Sequence, residues 1–248
     1  RALGEDAYRE KAERAATFIW ENLRQEDGRL DRNFKGGASA INAFLDDYGL
    51  LAQAYIDLYQ ISFAEEWLQR AEDILTYANA HFYEEQTGLY NYTSDLDPPL
   101  ISGKVPINDQ AIPSGNSVVA SALHQLGILT ANEDMLSRAR NMMALLQPKL
   151  ASNGPRFYAN WGLLYLELME PTYEVAILGA AAGAKRDELS KEYLPNTLFL
   201  GGEEEGGLAL LTNKLNPGET TIYVCLEKVC QLPVTESSAA LDQIMAGF

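Results

Sequence analysis

Apolar residues in the first two thirds of the chain recur at i, i+3, i+4 and i+7, the spacing of one buried helix face. The pattern also repeats itself. FLDDYGLLAQAYIDLYQIS, from Phe44, and IPSGNSVVASALHQLGILT, from Ile112, align at one constant offset. That offset sets Leu51 on Val119, Ala54 on Ala122, Leu58 on Leu126 and Ser62 on Thr130. The segments that follow them, WLQRAEDILTYANAHF and MLSRARNMMALLQPKL, align at the same offset, Ala71 on Ala139 and Phe82 on Leu150. YREKAERAATFIWENL, from Tyr8, joins this second series. The repeating unit is a pair of helices. Helices are expected near 5–24, 43–60, 64–82, 113–130, 132–148 and 156–169. The longest connection, Tyr83 to Gln110, carries GLYNYT and DPPL and predicts a short hairpin and a loop.

A helix pair of this length argues for an α/α toroid rather than an array of 34-residue repeats. In a toroid the inner helix of each pair has two faces to satisfy, an apolar one against the outer helices and one toward the lumen. The stripe Ser114, Ser117, Ser121, His124, Ile128 opposes an apolar one, as does Asp46, Gly49, Gln53, Ile56, Gln60. Neither contains Lys or Glu, which ordinary exposed helix faces favour. The stripes are therefore read as lumen faces.

The period changes after Glu170-Pro171. YEVAILG, NTLFLGG and ETTIYVCL read as strands, KRDELSKEYL as a helix, and TESSAALDQIM as a closing helix capped by Thr235. The expected fold is mainly α. It is a partial α/α toroid over 1–170 with a small α/β unit over 171–248. Gly179 and Gly183 in LGAAAG lack dinucleotide-fingerprint spacing, so that turn is read as structural.

Composition narrows the function. A net charge of −16 without a basic stripe argues against nucleic acid and anionic membrane surfaces as partners. No run has the roughly 18 apolar residues of a membrane span. Two cysteines neither build a four-ligand zinc site nor staple a secreted mini-domain, and no metal or cofactor is expected. A cytoplasmic location is the expectation. The chain opens at Arg1 and reads as a piece of a longer protein.

Three motifs together, FLDDY (Phe44–Tyr48), DQAIPSGNSV (Asp109–Val118) and YVCLEKVCQLPV (Tyr223–Val234), resemble one family. It is the thioredoxin-domain-containing family that includes the spermatogenesis-associated proteins. The resemblance implies an N-terminal thioredoxin-like domain, absent from this chain, then a six-hairpin α/α barrel and an α/β tail. It implies a barrel similar to N-acylglucosamine 2-epimerases and six-hairpin glycosidases, and hence a carbohydrate ligand. A non-catalytic scaffold, holding the thioredoxin-like domain against protein clients, is the alternative.

Each candidate residue has two readings. Asp46 and Asp47 at an inner-helix mouth suit acid–base sugar chemistry, because burial beside a like charge raises one pKa. They equally suit helix capping, and neighbours on a helix point about 100° apart. Asp109, Ser114 and Asn116 at the second mouth either hydrogen-bond sugar hydroxyls or anchor a cap and loop. His124 is an acid–base candidate or a core histidine, and His81 suits a helix C-terminus. Tyr48, Tyr55, Tyr90, Tyr92, Tyr158 and above all Trp161 either stack on sugar faces or fill the core. Cys225 and Cys230 flank LEKV, a disulfide across a hairpin or a reduced pair near a strand end. As a disulfide they become a redox pair for the thioredoxin-like domain.

Overall fold

The helical pattern folds as six consecutive helices. They are α1 (Asp6–Asn22), α2 (Leu45–Ser62), α3 (Glu66–His81), α4 (Gly115–Thr130), α5 (Glu133–Asn153) and α6 (Ala159–Met169). The computed structural model describes residues 4–37, 41–98 and 103–247. Helices α2 and α4 pack on each other, and each carries the helix that follows it, α3 or α5.

The repeat extends to the atoms that end α2 and α4. Ser62 Oγ donates to the Leu58 carbonyl at 2.7 Å, and Thr130 Oγ1 donates to the Leu126 carbonyl at 2.7 Å. The next residues, Phe63 and Ala131, both adopt left-handed backbone, with φ of 59° and 56°. Such a residue closes a helix C-terminus and turns the chain into the next helix. At the other end α2 and α4 touch. A Cβ on Gly115 would lie 2.6 Å from Asp46 Oδ1, and one on Gly49 would lie 3.2 Å from Val119 Cγ2.

Most boundaries fall within three residues of the expectation, α6 starting at Ala159 rather than 156 after a 3-10 turn over Pro155–Phe157. Helix α4 starts at Gly115 because Ser114 is its cap, its side chain accepting from the Ser117 amide. Helix α5 runs through Pro148 to Asn153, on a stretch whose residues are exposed or half-buried. The expected hairpin forms from β1 (Tyr83–Glu84) and β2 (Leu89–Tyr90), and Gly88 takes the φ of 70° that its turn requires. Part of DPPL, Pro99 and Leu100, lies outside the described residues.

Beyond Pro171 come β3 (Tyr173–Leu178), α7 (Ala182–Leu189), β4 (Thr197–Gly202), β5 (Thr221–Leu226), β6 (Val229–Cys230) and α8 (Ser237–Ala246). The sheet order is β4-β3-β5-β6, with β3 parallel to β4 and the other pairs antiparallel. Alternation sorts its side chains. Ala176, Leu178, Leu198 and Leu200 join the helical core, while Val175, Ile177, Phe199, Ile222 and Val224 pack in a second core with Ala182, Leu189, Ala240 and Ile244. The free edge of β4 meets α2: the Phe199 amide donates to Gln60 Oε1 at 3.3 Å and the Gly201 amide to Tyr59 Oη at 3.4 Å.

The LGAAAG turn links β3 to α7. Gly179 has φ of 121°, and a Cβ there would sit 2.7 Å from the Glu219 carbonyl. Helix α7 begins three residues earlier than KRDELSKEYL suggests and ends sooner. The closing helix is capped at Glu236, not Thr235, and Ser237 Oγ donates instead to Glu188 Oε2 at 2.6 Å.

Candidate functional site

The described parts of the 83–110 connection, residues 83–98 and 103–110, pack at the N-terminal ends of α2, α4 and α6, and several of the candidate residues hold them there. Asn116 is fully buried. Its Oδ1 accepts from the Tyr90 amide at 2.8 Å, and its Nδ2 donates to the carbonyls of Tyr90 at 2.9 Å and Pro106 at 2.8 Å. Asp109 is equally engaged: Oδ1 accepts from the Ser114 amide at 2.9 Å and Oδ2 from the Asn160 amide at 2.9 Å. One carboxylate thus caps the starts of both α4 and α6. Trp161 is fully buried, and its Nε1 donates to the Ile107 carbonyl at 2.9 Å. These three residues are anchors between elements far apart in the chain, while the side chain of Ser114 bonds locally, to Ser117.

Tyr48 is also buried. Its Oη accepts from the Leu30 amide at 2.8 Å and its ring stacks on Tyr77 at 5.4 Å. Tyr55, Tyr90 and Tyr158 are core residues. Of the named tyrosines, Tyr92 lines a cleft, with the Lys104 ammonium 4.7 Å from its ring centre.

The paired aspartates separate as helix geometry requires. Asp47 Oδ2 accepts from the Phe44 amide at 2.8 Å and from Arg32 at 2.9 Å, a cap with an ion pair. Asp46 faces a cleft of about 390 Å³ that Tyr92, Lys104, Asn108, Gln110 and Ser114 also line. Burial raises its carboxyl pKa, and the Asp47 charge adds to this. Lys104, the Gly115 amide and Arg32 oppose.

His124 lines a different cleft, between α4, α5, α6 and the turn joining β5 to β6. It is 7% exposed, and neither ring nitrogen has a hydrogen-bond partner among the described residues. Burial, then the Arg140 charge, lowers its pKa to about 4. The unfolded ring titrates near 6.5. The unfolded chain therefore takes up this proton first as pH falls, and stability tied to the neutral ring is complete above 6.5 and lost toward pH 4. We expect a loss of up to about 3 kcal/mol across that window. Urea denaturation at pH 7 and pH 4, read as the difference between the chain and His124→Gln, checks it. The difference matters because burial raises Glu167, Glu174 and Asp46, whose effects run in the opposite direction.

His81, at the end of α3, pairs its Nδ1 with Asp95 Oδ1 at 2.9 Å. Cys225 and Cys230 face each other in the β5–β6 register and are joined as a disulfide. Glu227 and Lys228 make the turn, both at positive φ, the geometry of a two-residue hairpin. The sequence reading missed Glu167 and Glu174, which line the cleft with His124. Glu167 follows Tyr165 and Leu166 in α6 with no local motif to mark it. Glu174 does interrupt an apolar strand, a signal that went unused.

With this geometry in view, the chain can be set beside known proteins. No protein-family model matches it. It is similar to an uncharacterized protein of Caenorhabditis elegans, 24% identical over 255 residues, covering 94% of this chain and 34% of that protein. It is also similar to Spermatogenesis-associated protein 20 of Homo sapiens. There the identity is 22% over 259 residues, covering 94% of this chain and 32% of the human protein. The similarity agrees with the resemblance carried by the three motifs. The chain spans about one third of the length of these curated relatives. Among the described residues, no helix is long and apolar enough to cross a membrane.

Proposed function

We propose that the helical hairpins are part of an α/α toroid that binds or transforms a carbohydrate at the inner-helix mouth, with Asp46 as the acid–base group. One observation carries this reading. Asp47 and Asp109 each hold two partners in caps, whereas Asp46, bonded to the Gly115 amide, also faces a cleft with its carboxyl pushed toward the protonated form by burial. A raised carboxyl pKa is what proton donation to a sugar oxygen needs. Lys104, Asn108 and Gln110 supply hydrogen-bonding groups around it, and Tyr92 supplies a ring face. The test is thermal denaturation of the chain with a panel of mono- and disaccharides, beside Asp46→Asn. We expect a rise of several degrees with a particular sugar, lost in the variant. The absence of any rise would overturn the reading.

A second reading has its own support. Pro106, Ile107 and Asp109 of the connection are tied to Asn116, Trp161 and Asn160 at the helix starts, which favours a covered mouth. A closed mouth suits a silent scaffold that presents the thioredoxin-like domain of the whole protein to protein clients. Sugar-independent melting, with binding of such a domain to this chain, is its expected signature.

A further inference from the structure

We propose that the cleft between α4–α6 and the β5–β6 turn is a second ligand site, which takes a small uncharged polyol on His124 and Glu167. It shares none of its lining residues with the mouth cleft and does not rest on the reading given to Asp46.

Among the described residues, both ring nitrogens of His124 and Oε2 of Glu167 are buried without a hydrogen-bond partner, while Gln125 gives the Glu167 carboxyl one side-chain hydrogen bond. Buried polar groups in folded proteins nearly always have one. Here three such atoms belong to two side chains lining one cleft of about 490 Å³, room for a small molecule. The cleft lies where the helices meet the sheet, the kind of boundary at which ligand sites concentrate.

The walls select the ligand. Arg140 pairs with Glu133 at 3.4 Å, and Glu227 and Lys228 sit side by side on the turn. Glu174 Oε2 already accepts from the Lys228 amide at 2.8 Å. Burial biases His124, Glu167 and Glu174 toward neutrality. An ionic ligand would meet paired charges of both signs and no strong counter-charge on these three groups. A hydroxyl both donates and accepts, so a polyol satisfies either tautomer of a neutral imidazole together with the Glu167 carboxyl. Ile128, Leu136 and Leu168 offer apolar surface for its C–H faces. No Phe, Tyr or Trp lines the cleft among the described residues, which disfavours a flat ring ligand.

The chain has two histidines, so their ring signals in NMR are readily assigned and His81 is an internal control. The chain would be titrated with glycerol, xylitol and sorbitol, and separately with acetate and methylammonium. We expect saturable shifts of the His124 ring with a polyol and a still ring at His81. Glu167→Ala, which removes the carboxyl, should weaken the response about tenfold, the worth of one well-placed hydrogen bond to a buried group. Asp46→Asn should leave it unchanged, which separates this site from the mouth. Equal shifts at both histidines, no saturable shift, a response to the ions instead of the polyols, or a response indifferent to Glu167→Ala would each overturn the proposal.

Discussion

Asn116→Ala should lower the unfolding free energy by about 3 kcal/mol or more in urea denaturation. The side chain makes three hydrogen bonds at a fully buried position. Alanine leaves the Tyr90 amide and two carbonyls unpaired, and each orphaned buried group costs about 1–3 kcal/mol. Part of that cost is recovered where the connection can shift toward water. The same shift gives a local readout: the Tyr90 amide should exchange with solvent faster than amides of the α2 interior. Asn153→Ala, at an exposed helix end, should change stability by no more than about 0.5 kcal/mol. If the two alanine variants were equally stable, Asn116 would not be an anchor.

Trp161→Ala should cost about 3–5 kcal/mol, the usual range for emptying a buried tryptophan site. Here the loss has two parts, and Trp161→Phe separates them. Phenylalanine keeps most of the packing but leaves the Ile107 carbonyl without its indole donor. It should cost about 1–3 kcal/mol, the penalty of one unpaired group. Because Ile107 belongs to the connection over the mouth, both variants should also alter any sugar response that depends on Asp46. Calorimetry of the three proteins decides the stability order. A wild-type-like Trp161→Ala would contradict a structural role for this residue.

The sequence made the helices and strands visible because burial alone sets their periods. The offset that aligns Ser62 with Thr130 also aligns the two left-handed residues after them, so the repeat was visible almost to the atom. The polar mouth was legible in outline only. Asn116, Asp109 and Trp161 stood out by type and place, but their partners lie 26, 51 and 54 residues away. No local pattern reports such a distance, and a residue anchoring a loop reads the same as one awaiting a ligand. Glu167 was harder still. Its neighbours in the chain are those of an ordinary helix end, and the cleft exists because the β5–β6 turn arrives beside it. The two cysteines left the reduced and oxidised readings open until the hairpin register set them opposite each other.

The free edge of β4 has a consequence for the protein cut in two. Its amides at Phe199 and Gly201 are not left to solvent but engage Gln60 and Tyr59, near the end of α2. An uncovered strand edge is a template onto which another chain can add. A C-terminal piece expressed without α2 would lose that shield and expose the row of apolar residues beneath it, Leu198 and Leu200 among them. Such a piece should form β-rich aggregates, so α2 acts toward the sheet as an intramolecular chaperone.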